Sequence, residues 1–98
     1  MLKFFISFDL ENAQGKYNLF YEEAEKCNLF PYIPANYTEN KSKIDLPNTT
    51  LFGVYTNAID IKATKMKLCE VVDKIYKKVG VRGKYIVICS NGSYTKTV

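Results

Sequence analysis

The sequence contains no histidine and no tryptophan, and Arg82 is its single arginine. Without histidine, His-based catalytic triads, imidazole metal ligands and the usual neutral-pH general base are all excluded. With lysine supplying nearly all the positive charge, bidentate recognition of base edges is disfavoured, and any contact to a phosphate backbone is a salt-sensitive point-charge contact. The cysteines, Cys27, Cys69 and Cys89, are odd in number, widely spaced and set in apolar or helical patterns. They read as reduced core residues, with neither a disulfide framework nor a zinc site. No apolar run approaches bilayer length, and the opening MLKFFISFDL is too short and too quickly acidic for a signal peptide. A cytoplasmic chain with no membrane contact is expected.

What is present is enough for one modest core. The 98 residues are 47% hydrophobic and 14% aromatic, which excludes a disordered chain and leaves apolar material for two layers in a single domain, residues 1–98. Eight Tyr and six Phe supply most of the bulk. Tyrosine suits interfaces and base stacking, although a low-GC codon bias enriches Tyr, Phe, Lys, Asn and Ile together. The formal net charge of +4 is compatible with an anionic partner but falls short of a dedicated nucleic-acid clamp.

Along the chain, Leu2 to Leu10 reads as a strand covered on at least one side, with Phe4, Ile6 and Phe8 on one face and Phe5 and Ser7 on the other. It runs into two carboxylates, Asp9 and Glu11. Turn chemistry at residues 12–15 follows, and Tyr17, Phe20, Tyr21, Ala24 and Cys27 then recur at helical spacing. All three prolines lie in residues 31–47, where a short edge strand around Phe30 to Tyr37 and a flexible loop from Thr38 to Lys43 are predicted. Thr50 to Thr56 is β-branched and aromatic, hence a strand. A second helix is predicted from an Asp60 or Asn57 cap to about Val79, with Ile61, Leu68, Val72, Ile75 and Val79 as its apolar stripe, Val71 and Met66 beside it, and Gly80 as its stop. Lys84 to Ser90 is the clearest strand. Asn91-Gly92 is a hairpin signal, and the alternation from Ser93 to Val98 predicts a further strand that needs a partner. Strand, helix, two strands, helix, strand and a strand-like tail together predict an α+β, ferredoxin-like βαββαβ sandwich: an antiparallel sheet with two helices on one face and an extra C-terminal strand.

The first strand ending Ile6-Ser7-Phe8-Asp9-Leu10, its turn, and the helix carrying Phe20-Tyr21-Glu22 resemble the small CRISPR-associated adaptation endoribonucleases and their virulence-associated protein D relatives. That family is ferredoxin-like and homodimeric, and carries an aromatic-Asp pair at the end of its first strand. The resemblance covers the whole element order. It implies that Asp9 is the catalytic acid and shares a divalent metal, Mg²⁺ or Mn²⁺, with its symmetry mate, Glu11 supporting. It also implies a C-terminal strand that reaches the partner's sheet, which places Tyr94, Thr95 and Val98 at the interface. A hard cation with oxygen ligands polarises a phosphate and activates water without any histidine. Lys16, Lys74, Lys77, Lys78 and Arg82 are the candidate nucleic-acid contacts. Leu10 to Gly15, acidic then neutral, departs from the basic residues that often follow the family's Asp.

Asp9 equally fits a turn or cap before the helix. Two function classes therefore stand side by side. One is a metal-dependent nuclease homodimer cleaving RNA or DNA. The other is a non-catalytic binding protein of phage or mobile-element type that inhibits or bridges a host defence complex, using residues 38–47, the lysine face and tyrosines as contact surface. A third reading, tyrosines on an open sheet as base-stacking platforms, competes with simple packing at Val54-Tyr55 and Tyr85-Ile86.

Overall fold

The computed structural model describes residues 2–56 and 60–90. The order is β1 (Leu2–Glu11), α1 (Tyr17–Lys26), β2 (Tyr32–Ile33), a 3₁₀ turn (Ala35–Tyr37), β3 (Ile44–Asp45), β4 (Thr50–Tyr55), α2 (Ile61–Val79) and β5 (Arg82–Ser90). This is a small α+β protein with two helices and an antiparallel sheet, compatible with the expected ferredoxin-like layout. β1 is the central strand, paired antiparallel with β4 on one side and β5 on the other. Among the described residues no helix is long and apolar enough to cross a membrane.

Strict alternation in β1 creates the core. Leu2, Phe4, Ile6, Phe8 and Leu10 are all buried under the helices, whereas Ser7, Asp9 and Glu11 are exposed on the other face. The strand is therefore covered on one side and continues through both acids. Phe20 of α1 is fully buried, stacked 4.6 Å from Phe8 and edge-on to Tyr76 of α2 at 5.0 Å, so one ring joins three elements. Glu23 of α1 is ion-paired at 2.9 Å with Lys26 and at 3.1 Å with Lys78, tying the two helices together.

α2 begins and ends as its sequence predicts. The Asp60 carboxylate accepts the Lys62 and Ala63 N–H groups, and Gly80 closes the helix at φ 77°, where only glycine is unstrained. Its buried stripe is Leu68, Val72, Ile75, Tyr76 and Val79. Ile61 and Met66 are exposed: Ile61 sits in the first turn, and Met66 lies on the side of the helix away from Leu68, two residues or about 200° round. Tyr76 takes the place that apolar periodicity alone overlooks. Cys27 is exposed at the C-cap of α1, and Cys69 and Cys89 are half-buried, so none of the three is a fully buried core residue.

The proline-rich stretch does not form the predicted strand from Phe30 to Tyr37. Phe30 alone bridges the free edge of β4, exchanging backbone hydrogen bonds of 2.9 and 2.7 Å with Phe52. At Pro31 the chain turns to the other side, where its carbonyl accepts the Leu46 N–H at 3.0 Å. β2 then pairs with β3 rather than with the main sheet. Residues 38–43 are a loop closed on itself by Thr38, whose buried hydroxyl lies 3.0 Å from the Ala35 carbonyl and accepts the Ser42 N–H at 3.1 Å. Tyr37 packs over Phe52 at 5.9 Å, and Phe52 meets Phe5 at 5.3 Å. On the side of β4 the outer sheet face is therefore covered, and on the side of β5, among the described residues, Ile86 and Ile88 are 59% and 52% exposed. The expected final strand, with Tyr94, Thr95 and Val98, lies outside the described residues.

Candidate functional site

The outer face of β1 and β5 carries charge in register. Asp9 lies opposite Lys84 and Glu11 opposite Arg82, and all four side chains are exposed. Because side chains alternate, Asp9 and Glu11 point the same way, their α-carbons about 7 Å apart. Asp9 sits inside the strand and caps nothing. Lys16 is the residue preceding α1, and no side chain caps that helix. The turn-or-cap role therefore has no counterpart in the structure.

The backbone beneath Asp9 is clamped twice. A Cβ at Gly83 would collide with the Asp9 carbonyl, so this position tolerates only glycine if β5 is to press against β1 here. The Tyr76 hydroxyl rises from α2 to within 2.9 Å of the Asp9 carbonyl and 3.2 Å of the Lys84 carbonyl, donating between the two strands. Burial, with the Asp9 charge adding to it, pushes the Tyr76 phenol up to about 12. Next to it, Tyr85 lies 2.7 Å from Asp73 Oδ1 and 3.2 Å from the Cys69 carbonyl, and burial followed by the Asp73 hydrogen bond raises its phenol strongly. At neutral pH both phenols are protonated donors, which makes them positioning groups and not bases.

The candidate nucleic-acid contacts are dispersed. Lys16 Nζ lies 3.4 Å from the Val79 carbonyl, closing the C-terminal end of α2, where a cation is favoured. Lys78 is held by Glu23, whose carboxyl is kept below its ordinary value first by Lys26 and then by Lys78. Lys74 is exposed. Lys77 and Arg82 alone come together with an acid of the site, lining with Glu11, Asp73 and Tyr85 a shallow groove of about 470 Å³. Lys84, Gly83 and Tyr76 are the residues that sequence reasoning missed. The outward phase of Lys84, two residues before Ile86, was one available signal, and the spacing of Tyr76 from Val72 and Val79 was another.

Asp9 and Glu11 suit a hard divalent cation in chemistry, being exposed carboxylates on one face. Among the described residues no three acidic or sulfur side chains converge. Among the described residues this face thus brings two carboxylates together, fewer than a metal shell needs from protein alone. No protein-family model, no curated protein and no solved structure matches this chain.

Proposed function

We propose that the chain is a ferredoxin-like nuclease resembling the small CRISPR-associated adaptation enzymes, a homodimer that cleaves phosphodiester bonds of RNA or DNA with Mg²⁺ or Mn²⁺. The observation that carries this reading is Asp9: an exposed carboxylate in the last rungs of the central strand's ladder, on the face away from the helices, over a backbone carbonyl that accepts from the Tyr76 hydroxyl. The fold assignment is supported by the sheet order β4-β1-β5, with the Phe30 bridge on the outer edge of β4 supplying the vestige of a fourth strand. The exposed strip of Ile86 and Ile88 is apolar surface on which a second copy would bring two Asp9 side chains toward a common axis.

When bound, the metal polarises the scissile phosphate and lowers the pKa of a coordinated water. Asp9 would hold it with Glu11 in support, and the Tyr76 hydroxyl keeps the Asp9 backbone in place. Labelled RNA and double-stranded DNA are incubated with Mg²⁺, Mn²⁺ or EDTA, using wild type and Asp9→Asn side by side, with oligomeric state followed by light scattering. Metal-dependent cutting that disappears in a still dimeric Asp9→Asn protein is expected. Equal cutting by both proteins would remove Asp9 from the reaction.

The exposed Ile86 and Ile88 also favour a second reading, in which this face docks on a host defence protein without catalysis. That reading requires Asp9→Asn to be silent and Ile86→Lys with Ile88→Lys to abolish capture of one defined partner.

A further inference from the structure

We infer that the phosphodiester backbone is bound by Lys84 and Arg82, on the outer face of β5, and not by the lysine face of α2. The helices cover one face of the sheet and Asp9 projects from the other, so the α2 lysines lie across the sheet from Asp9, apart from Lys77, which reaches the groove beside Arg82 and Glu11. Lys78 is already committed to Glu23. Lys84 is the cross-strand partner of Asp9, and Arg82 that of Glu11. Opposite charges in register would ordinarily pair, yet among the described residues neither cation lies within ion-pair distance of a carboxylate, the three pairs there being Lys26–Glu23, Lys43–Asp45 and Lys78–Glu23. Their donors therefore remain open to an external anion.

The two cations are complementary in kind and placement. Two residues apart on one strand, they stand about 7 Å apart on the same face. Arg82 brings the planar fork that fits a phosphate bidentately, and Lys84 brings a point charge beside Asp9. Gly83 between them lets this rung of β5 lie close against β1, where a Cβ would collide with the Asp9 carbonyl. In this arrangement Lys84 would take a phosphate beside Asp9 and Arg82 its neighbour beside Glu11.

The choice of a phosphodiester ligand rests on the nuclease reading, and binding is measured apart from cutting so that each can fail alone. Fluorescence anisotropy of a labelled single-stranded RNA oligonucleotide is followed in EDTA at 50–200 mM salt with wild type, Lys84→Ala, Arg82→Ala, their Gln counterparts, and the α2 double variant Lys67→Ala/Lys74→Ala. Each β5 variant is expected to lose about fivefold in affinity, the size of one exposed charge contact, and to reduce the salt slope by about 0.7. The α2 variant stays within twofold of wild type. Loss concentrated in the α2 variant, or no binding by wild type at 50 mM salt, overturns the inference. So does a dimer that dissociates in Lys84→Ala, which would make this rung an interface between copies. Binding through Lys84 and Arg82 without any metal-dependent cutting keeps the site and removes the nuclease.

Discussion

Replacing Tyr76 with Phe isolates a single hydroxyl at the junction of α2, β1 and β5. The ring is 8% exposed and packs on Phe20 at 5.0 Å and on Tyr85 at 5.8 Å, and Phe preserves those contacts. What is lost is the donor 2.9 Å from the Asp9 carbonyl, a hydrogen bond worth about 1 kcal/mol at neutral pH. For a domain of this size that corresponds to a melting temperature lower by about 4–8 °C. At high pH the sign reverses. Folding raises the Tyr76 phenol from 10.0 to about 12, so between those values the folded state binds more protons than the unfolded state. Its contribution is complete below pH 10.0 and is lost as pH rises to about 12, a difference on the order of 3 kcal/mol. Tyr76→Phe cannot lose it. The variant should therefore be the less stable protein at pH 7 and the more stable one at the alkaline end, with the two stability curves crossing near about pH 11. Urea unfolding by circular dichroism from pH 7 to 11.5, with tyrosinate absorbance recorded in parallel, reads both limbs. Parallel curves with no crossing would refute the assignment of a buried, neutral Tyr76 bridging the strands, because Tyr55 and Tyr85, also raised by burial, are common to both proteins.

Three further outcomes test the surrounding packing. Phe20→Ala should cost about 3–5 kcal/mol in urea unfolding, as expected for a fully buried ring shared by β1, α1 and α2; a loss below about 1 kcal/mol would mean the three elements do not depend on it. Thr49 is β-branched at φ 59°, held there by its N–H donated to the Tyr21 hydroxyl and its carbonyl accepting from Phe8 N–H. Thr49→Gly removes a left-handed penalty of about 1–2 kcal/mol against a smaller loss of chain stiffness, so its melting temperature should rise. Glu23, its carboxyl held below 4.5 by Lys26 and then Lys78, contributes stability that is present above that value and fades as pH falls through and below it. Glu23→Gln should accordingly show a flatter decline in melting temperature between about pH 5 and pH 3, and an unchanged slope would dissociate the triad from acid stability.

Local signals sufficed wherever the information was local. The period of two in β1 already sorts Phe4, Ile6 and Phe8 from Ser7 and Asp9, and burial follows that division. The ends of α2 are written in Asp60 and Gly80, because a cap needs only its own turn. Between Phe30 and Asp45 the same reasoning fails for a physical reason. Pro31 and Pro34 interrupt strand propensity, and the pairing of Tyr32 with Asp45 and of Ile33 with Ile44 is decided by closure of the intervening loop through Thr38, a contact that no residue pattern advertises.

The site shows the same limit more sharply. Asp9 is visible because an acid after a buried aromatic stands out, but its partners are assembled by strand pairing between opposite ends of the chain. Register places Lys84 opposite Asp9 and Arg82 opposite Glu11. A shift of one residue would bring Gly83 opposite Asp9 and turn Lys84 toward the helices. What prevents that shift is packing: Tyr85, Val87 and Cys89 fall against the core while Ile86 and Ile88 remain outside, and Gly83 alone fits against the Asp9 carbonyl. The charge pattern of the outer face is thus a consequence of which β5 residues the core accepts. The lysines most conspicuous in the sequence lie on a helix over the opposite face. Net charge and lysine runs are legible in composition, whereas strand register decides which charges stand beside Asp9.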